Sequence, residues 1–380
     1  MNSMRTATRV QLIEILKELF GKDVSEIISS FIEIPMIAIF KIPKNNHIIQ
    51  MYLREKRTKY KYSLEMDWGD KTVNRYMPSS KITHKYLRKG IYAVHITGAL
   101  INHSFSEELI DNCNTELLDI TQWGDIKFYN IENLFSYCTN LKITAIDAPN
   151  LQYVNSLSYM FIGCTNLTGN FENWDVSNIS DMDSMFYDCI SFNGNLNNWN
   201  VSNVINMHSM FYNCIAFNSN LSKWNVRNVV DMMKMFYNCK IFNQDLSMWN
   251  FKAIDITCMF SGCEQFNSNI GTWDTSNVIS MDFLFENCHS FNQDLGKWNV
   301  SKVSYMKHMF HKCTNFTGIG LDKWNVRNVS DMSYMFYKCA LFANNNLDKW
   351  DVRNVSNMSN MFYKCTLFTD YRLDKWNVRK

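Results

Sequence analysis

Leu196-Asn197-Asn198-Trp199-Asn200-Val201-Ser202-Asn203-Val204-Ile205-Asn206-Met207-His208-Ser209-Met210-Phe211-Tyr212-Asn213-Cys214-Ile215-Ala216-Phe217-Asn218 is one copy of a unit that recurs through the C-terminal two-thirds of the chain. Its tryptophan returns as Trp174, Trp224, Trp249, Trp273, Trp298, Trp324, Trp350 and Trp376, and Trp123 stands as far ahead of Cys138 as Trp199 does ahead of Cys214. A fixed period of about 25 residues marks a tandem array. One such unit cannot fold alone. Burying a large side chain contributes roughly 1.5–3 kcal/mol, whereas ordering each residue costs about 1–2 kcal/mol of backbone entropy. The balance turns favourable when neighbouring units bury each other's apolar faces.

The pattern changes period inside the unit. Trp199 and Val201 alternate with Asn200 and Ser202, which predicts a strand. Val204, Met207, Met210, Phe211 and Cys214 then follow at spacings that predict a short helical turn. Asn178, Asn203, Asn228, Asn277, Asn328 and Asn354 stand at the switch, where a helix N-cap is expected, and Asp181, Asp231 and Asp331 follow where negative charge suits a first turn. The expected fold class is α+β repeat. Residues 105–380 would form a leucine-rich-repeat-like, right-handed solenoid of about 10 coils, each with one short strand and one short helical turn.

Cysteine usage fits the same period. Cys138, Cys164, Cys189, Cys214, Cys239, Cys263, Cys288, Cys313, Cys339 and Cys365 form one series, Cys113 begins it, and Cys258 is out of phase. One thiol at a fixed place in every unit reads as a small buried apolar group rather than as a disulfide or metal framework.

Two other segments precede the array. In residues 1–33, Val10, Ile13, Leu16, Leu19 and Phe20 recur at helical spacing, Gly21 breaks the run, and a second amphipathic stretch extends from Val24 to Ile32. Residues 34–104 alternate instead, in Tyr60–Tyr62–Leu64–Met66–Trp68 and Ile91-Tyr92-Ala93-Val94-His95-Ile96, which predicts a β-domain. Trp68 is its expected core anchor and Gly69-Asp70 a turn. Asp67 and Asp70, lacking further oxygen ligands, read as turn formers rather than as an acid pair or calcium site.

These motifs carry resemblances. Asp67-Trp68-Gly69-Asp70-Lys71-Thr72, Thr83-His84-Lys85-Tyr86 and Gly90-Ile91-Tyr92-Ala93-Val94-His95-Ile96-Thr97-Gly98 closely resemble the signature of a polycystic-kidney-disease (PKD)-like β-sandwich. Lys71 replaces that signature's turn glycine, which predicts a distorted turn. The unit W-[DN]-V-[SR]-N-V-x-x-M-x-x-M-F-x-x-C resembles the BspA-like leucine-rich repeat, strongly over about residues 120–380 and weakly over 105–120. A PKD-like domain is its usual companion. The resemblance implies adhesion-type surface proteins of bacteria and protists, with relatives in large DNA viruses. Residues 7–33 vaguely resemble the F-box-like helical modules ahead of repeat arrays in some viral proteins. That implies an alternative, an intracellular adaptor that recruits a host factor through its helices and selects clients with its repeats. Ordinary N-terminal packing stays open for the same segment.

Composition bounds the function. Net charge is +2 and 46% of residues are hydrophobic, a globular balance that argues against a polyanion binder. Glu14, Lys17 and Glu18 interrupt the first apolar stretch, so no secretory leader is read, and an intracellular location (host cytoplasm for a viral protein) is expected over a surface one. No phosphate-loop, dinucleotide, zincin or nucleophile-elbow motif occurs. No catalytic residue and no cofactor is expected. The best metal candidate is His308-x-x-His311-x-Cys313, with Cys288 and His289 one unit earlier; the array places the cysteine inward and the histidines outward, so they read as exposed surface histidines.

The candidate binding residues flank the tryptophans. Lys223, Asn225 and Arg227, then Lys323, Asn325 and Arg327, then Lys349, Asp351 and Arg353, and finally Lys375, Asn377 and Arg379 would line a concave sheet face. They would form a basic stripe for an acidic protein partner, or a solvated face whose Asn side chains bond between coils. The expected function is non-enzymatic protein–protein interaction. The series ends on Trp376-Asn377-Val378 without its second half, from which self-association through an uncapped coil is expected.

Overall fold

The structure, a computed structural model, describes residues 33–53, 63–77, 82–101, 103–105, 115–343, 346–369, 373–374 and 376. The helical reading of residues 1–33 therefore lies, Glu33 apart, outside the described residues, as do Tyr60, Tyr62 and Cys113. The chain divides into two compact units, Met1–Asn178 and Ile179–Lys380.

The first unit is built on two sheets. Its strands are β1 (Met36–Ile42), β2 (His47–Leu53), β3 (Leu64–Asp67), β4 (Val73–Tyr76), β5 (Ile82–Tyr86), β6 (Gly90–Ile101), β7 (His103–Ser104), β8 (Leu117–Gln122), β9 (Lys127–Asn130), β10 (Lys142–Ile143) and β11 (Thr168–Gly169). The larger sheet runs β11-β10-β8-β1-β6-β3-β4, with β9 also paired to β6, and the smaller runs β5-β2-β7. In β1, Met36, Ala38, Phe40 and Ile42 are buried, and β6 lies antiparallel to it with Met36 opposite Ile96 and Ala38 opposite Val94. β1 also pairs with β8, and β8 with β10, so hydrogen bonding runs across the division read at residues 104–105.

Trp68 anchors one end of this unit. Its ring stacks on His84 at 4.5 Å, its indole N–H donates to Asn74, and the Tyr86 hydroxyl donates to its carbonyl. Asp67 and Asp70 accept the backbone N–H groups of Gly69 and Thr72, and Asp70 also meets His84 at 2.8 Å. Both carboxylates thus form turns, as their spacing suggested. The turn closes through the Trp68 N–H to the Thr72 carbonyl, with Lys71 in the left-handed region at φ 79°. A lysine therefore adopts the conformation that glycine would take more cheaply.

The second unit corrects the expected helical half. Among the described residues the helices are two single 3-10 turns, Leu321–Lys323 and Leu347–Lys349. Where helical spacing was read, alternate N–H groups leave the repeat. Met182, Ser184, Phe186 and Asp188 donate to the carbonyls of Asn206, His208, Met210 and Tyr212 in the next repeat. The groups between them, on Met185, Tyr187 and Cys189, donate three residues back, to Met182, Ser184 and Phe186. An α-helix would bond every such N–H internally. Here half of them tie repeat to repeat, and overlapping turns bring Met, Met, Phe and Cys to one side.

Two left-handed residues per repeat permit this. The residue five places before each series cysteine has positive φ, as at Ser184, Ser209, Lys234, Cys258, Phe283, His308, Tyr334 and Asn360. So does the residue immediately before it, as at Asp188, Asn213, Asn238, Gly262, Asn287, Lys312, Lys338 and Lys364. The expected N-caps and first-turn acids have other tasks. Asn228, Asn328 and Asn354 donate side-chain N–H bonds to carbonyls of the preceding repeat. Asp181, Asp231 and Asp331 accept the N–H two residues on and so begin the turn run.

The expected strand is also displaced. Around the tryptophans the chain is extended, with φ −74° and ψ 134° at Trp324, and it buries alternate residues as predicted. Its bridges to neighbouring repeats, however, lie further on, at Asp181, Asn206 and Asp231 and again at Asp255, Ser280, Tyr305, Asp331 and Asn357.

Identical residues stack in columns through the interior. Phe211, Phe236 and Phe260 lie parallel at 5.6 Å spacing, and Trp199, Trp224 and Trp249 at 6.4 Å. From Trp224 to Trp376 the indole N–H groups reach carbonyls one repeat back, as from Trp224 to Leu196 and from Trp298 to Ile270. The cysteines are free thiols, and they donate likewise, as from Cys239 to the Phe211 carbonyl at 3.0 Å. Burial drives their pKa well upward, so they behave as the small buried groups expected. Phe236→Ala should cost about 3–5 kcal/mol in urea unfolding, because it empties a fully buried site that two neighbouring rings share. A loss below about 1 kcal/mol would contradict the stacked column.

Candidate functional site

The basic residues read from the sequence stand on the surface, but not on a sheet. Lys223, Asn225, Arg227, Lys323, Asn325, Arg327, Lys349 and Arg353 are exposed, and Asp351 is half-buried. Lys375, Asn377 and Arg379 lie outside the described residues. The residue after each tryptophan caps a turn: Asn225, Asn325 and Asp351 accept the N–H groups of Arg227, Arg327 and Arg353. Several charges are already matched. Lys349 meets Asp322 at 3.2 Å, and the Arg353 guanidinium holds Asp351 in a fork at 2.8 and 2.7 Å. That fork holds the Asp351 carboxyl at about 2. The structure therefore replaces the expected concave sheet with a row of exposed turns in which Lys223, Arg227, Lys323 and Arg327 are the more open cations.

A second cluster takes in His308 and His311, whose pairing with Glu286 escaped the sequence reading. Two places before five of the series cysteines stands a tyrosine column, with Tyr187, Tyr212 and Tyr237 stacked at 4.3 and 4.5 Å and Tyr337 on Tyr363 at 5.0 Å. Between these groups the same place holds Ser261, Glu286 and His311. His311 is 9% exposed, so it is not the surface histidine expected. Its Nδ1 lies 3.1 Å from Glu286 Oε1, and His308 Nδ1 lies 3.8 Å from the same oxygen. Both nitrogens are buried without a hydrogen-bond partner. The other carboxylate oxygen of Glu286 accepts from the Ser261 hydroxyl at 3.2 Å.

Stacking fixes the two imidazoles. His308 sits between Phe283 at 4.7 Å and Tyr334 at 4.6 Å, while His311 lies on Tyr337 at 4.9 Å. Cys288 and Cys313 turn inward onto the carbonyls of Phe260 and Phe285, and His289 is exposed, so these three do not join the cluster. The interrupted tyrosine column was the signal: Ser, Glu and His replace Tyr in three successive repeats. Without knowing that side chains two before the cysteine touch between repeats, the signal could not be used.

The electrostatics suit a ligating set. Burial pushes Glu286 upward, but the contact and charge of His311, the charge of His308 and the Ser261 hydroxyl outweigh it and hold the carboxyl below its ordinary range. Burial, reinforced by His311, lowers His308 and favours its neutral form. In the first unit, two open depressions of about 520 and 730 Å³ are lined by residues such as Glu65, Arg75 and Lys127, and Ile39, Lys41, Glu116 and Leu118.

One protein family matches over residues 104–204, 155–257, 242–340 and 318–380, described as Mycoplasma protein of unknown function, DUF285. The chain belongs to this family. Each of the three longer DUF285 matches spans about four of the roughly 25-residue repeats, so the family pattern is itself an array. No curated protein and no solved structure matches the chain. Among the described residues no helix is long and apolar enough to cross a membrane.

Asp282 gives this face a pH signature. Burial raises its pKa to about 6 against the pull of the Lys307 N–H, and Asp331 and Asp255 add to the rise. The folded state takes up this proton before the unfolded chain does, so the contribution of Asp282 to stability grows as pH falls from about 6 towards 3.8. Asp282→Asn should raise the thermal midpoint near pH 7 by the equivalent of roughly 1–2 kcal/mol, and the gain should vanish near pH 4. Equal midpoints near pH 7 would refute the raised pKa.

Proposed function

We propose that this chain is a non-enzymatic protein-binding scaffold: a BspA-like, leucine-rich-repeat-like solenoid over residues 105–380, preceded by a PKD-like β-domain. The observation that carries the reading is a division of labour inside each repeat. Trp, Val, Met, Phe and Cys columns are buried and uniform, while side chains at fixed surface registers differ between repeats. The residue three after each tryptophan illustrates it: Ser202, Arg227, Lys252, Ser276, Ser301, Arg327 and Arg353 occupy equivalent positions. A rigid backbone displaying varied side chains at regular intervals is the arrangement that repeat proteins use for recognition.

The open cations Lys323 and Arg327, with Lys223 and Arg227 in an earlier repeat, favour an acidic protein partner. Nucleic acid fits less well, because net charge is only +2 and the neighbouring tryptophans are buried and cannot stack on bases. The test is quantitative binding of a captured partner to the full chain and to Lys323→Glu/Arg327→Glu. The double reversal should weaken affinity at least about tenfold and flatten its salt dependence, while Lys142→Glu in the first unit leaves both unchanged. A partner bound equally by the double variant would overturn the assigned surface.

A further inference from the structure

We propose that Glu286, His308 and His311 bind a divalent transition-metal cation of the zinc type, tying two adjacent repeats together. The site is separate from the cationic turns of the protein-binding reading and stands without it. One ligand atom from each of the three residues can be chosen so that all lie within 4.8 Å of one another. Glu286 comes from one repeat, and His308 and His311 from the next. Two imidazole nitrogens and one carboxylate oxygen form a borderline set that suits zinc and its neighbours better than calcium or magnesium, which prefer all-oxygen shells. Three protein ligands leave a fourth position for water.

A plain ion pair explains less. One imidazolium facing one carboxylate would use His311 and Glu286. It would leave the His308 nitrogen buried, 3.8 Å from an oxygen that His311 already approaches more closely. A buried polar nitrogen without a partner is disfavoured, and here two of them converge on one oxygen. A cation between the three groups would satisfy both nitrogens and the carboxylate at once.

The surroundings look built for that task. The rings of Phe283, Tyr334 and Tyr337 hold the imidazoles in place, and Ser261 holds the outer oxygen of Glu286. Such outer contacts orient metal ligands and add to affinity. The donors also stand at places that other repeats fill with non-ligands: Tyr337 and Tyr363 where His311 stands, Tyr334 where His308 stands. Nothing in the repeat scaffold itself requires histidine there.

The full chain, stripped of metal with a chelator, is titrated with cobalt(II) and then zinc(II). One cobalt per chain should bind, with visible bands of a nitrogen- and oxygen-ligated ion and no thiolate-to-cobalt band, and zinc should displace it. His311→Tyr and His308→Tyr install residues that neighbouring repeats carry at the same places, so they should fold, as circular dichroism can confirm. Each should lose at least about 100-fold in affinity, because even outer contacts are worth 10–100-fold. Should either fail to fold, the near-isosteric Glu286→Gln carries the same expectation. No saturable binding by the wild-type chain, undiminished binding by folded variants, or a thiolate band that moves the ion to Cys258 would each overturn the assignment.

Discussion

Each repeat gives away half of the N–H groups in its turn run to the repeat that follows, and the rest of the second unit depends on that exchange. A segment that bonded itself fully would be a helix and could be joined to its neighbour only through side chains. A segment that bonded only outward would be a flat strand and could not fold its Met, Phe and Cys side chains onto one side. The alternation between inward turns and outward bonds gives both properties. It costs two left-handed residues per repeat, a strain of order 1–2 kcal/mol each for a residue other than glycine. The stacked columns offset that cost, since Phe and Trp rings meet their own kind one repeat away and the cysteine thiol bonds a carbonyl there.

This exchange also decides which sequence changes the array accepts. The repeat shortens to 24 residues between Trp249 and Trp273 and lengthens to 26 between Trp298 and Trp350. The spacing from each left-handed residue to its cysteine never changes. The added residues fall instead just before the tryptophan, where the chain makes the short 3-10 turns at Leu321–Lys323 and Leu347–Lys349. Length can therefore vary outside the turn run and not within it.

Most of the fold was legible, because burial follows side-chain identity. The columns, the inward cysteines, the alternation around each tryptophan and the turn at Asp67 to Asp70 all follow from residue pattern. The helical half was misread for a physical reason. Val204, Met207 and Met210, then Phe211, Cys214 and Phe217, recur at strict intervals of three. An α-helix mixes threes and fours, whereas successive turns closed three residues back give threes. The candidate site was harder. Its donors come from different repeats, and the contact of Glu286 with His308 and His311 follows from the inter-repeat register, not from local spacing. Likewise Lys349 meets Asp322 of the preceding repeat, a pairing that local spacing does not bring together.

A backbone fixed this tightly limits where function can reside. The buried columns are committed to stacking, and the residues that start each turn run are committed to capping it. What stays free to change are the exposed turns beside the tryptophans and the partly buried places five and two before each cysteine. The first set faces solvent and can change charge at little cost to stability. The second lies against its counterparts above and below, so a change there is felt by two neighbours. Ser261 and Glu286 at this place give up ring stacking that Tyr187, Tyr212 and Tyr237 retain, and His311 keeps it on one side only, with Tyr337. Charged and polar groups set into such a column need a compensating interaction, and the shared geometry of Glu286, His308 and His311 supplies the place for one.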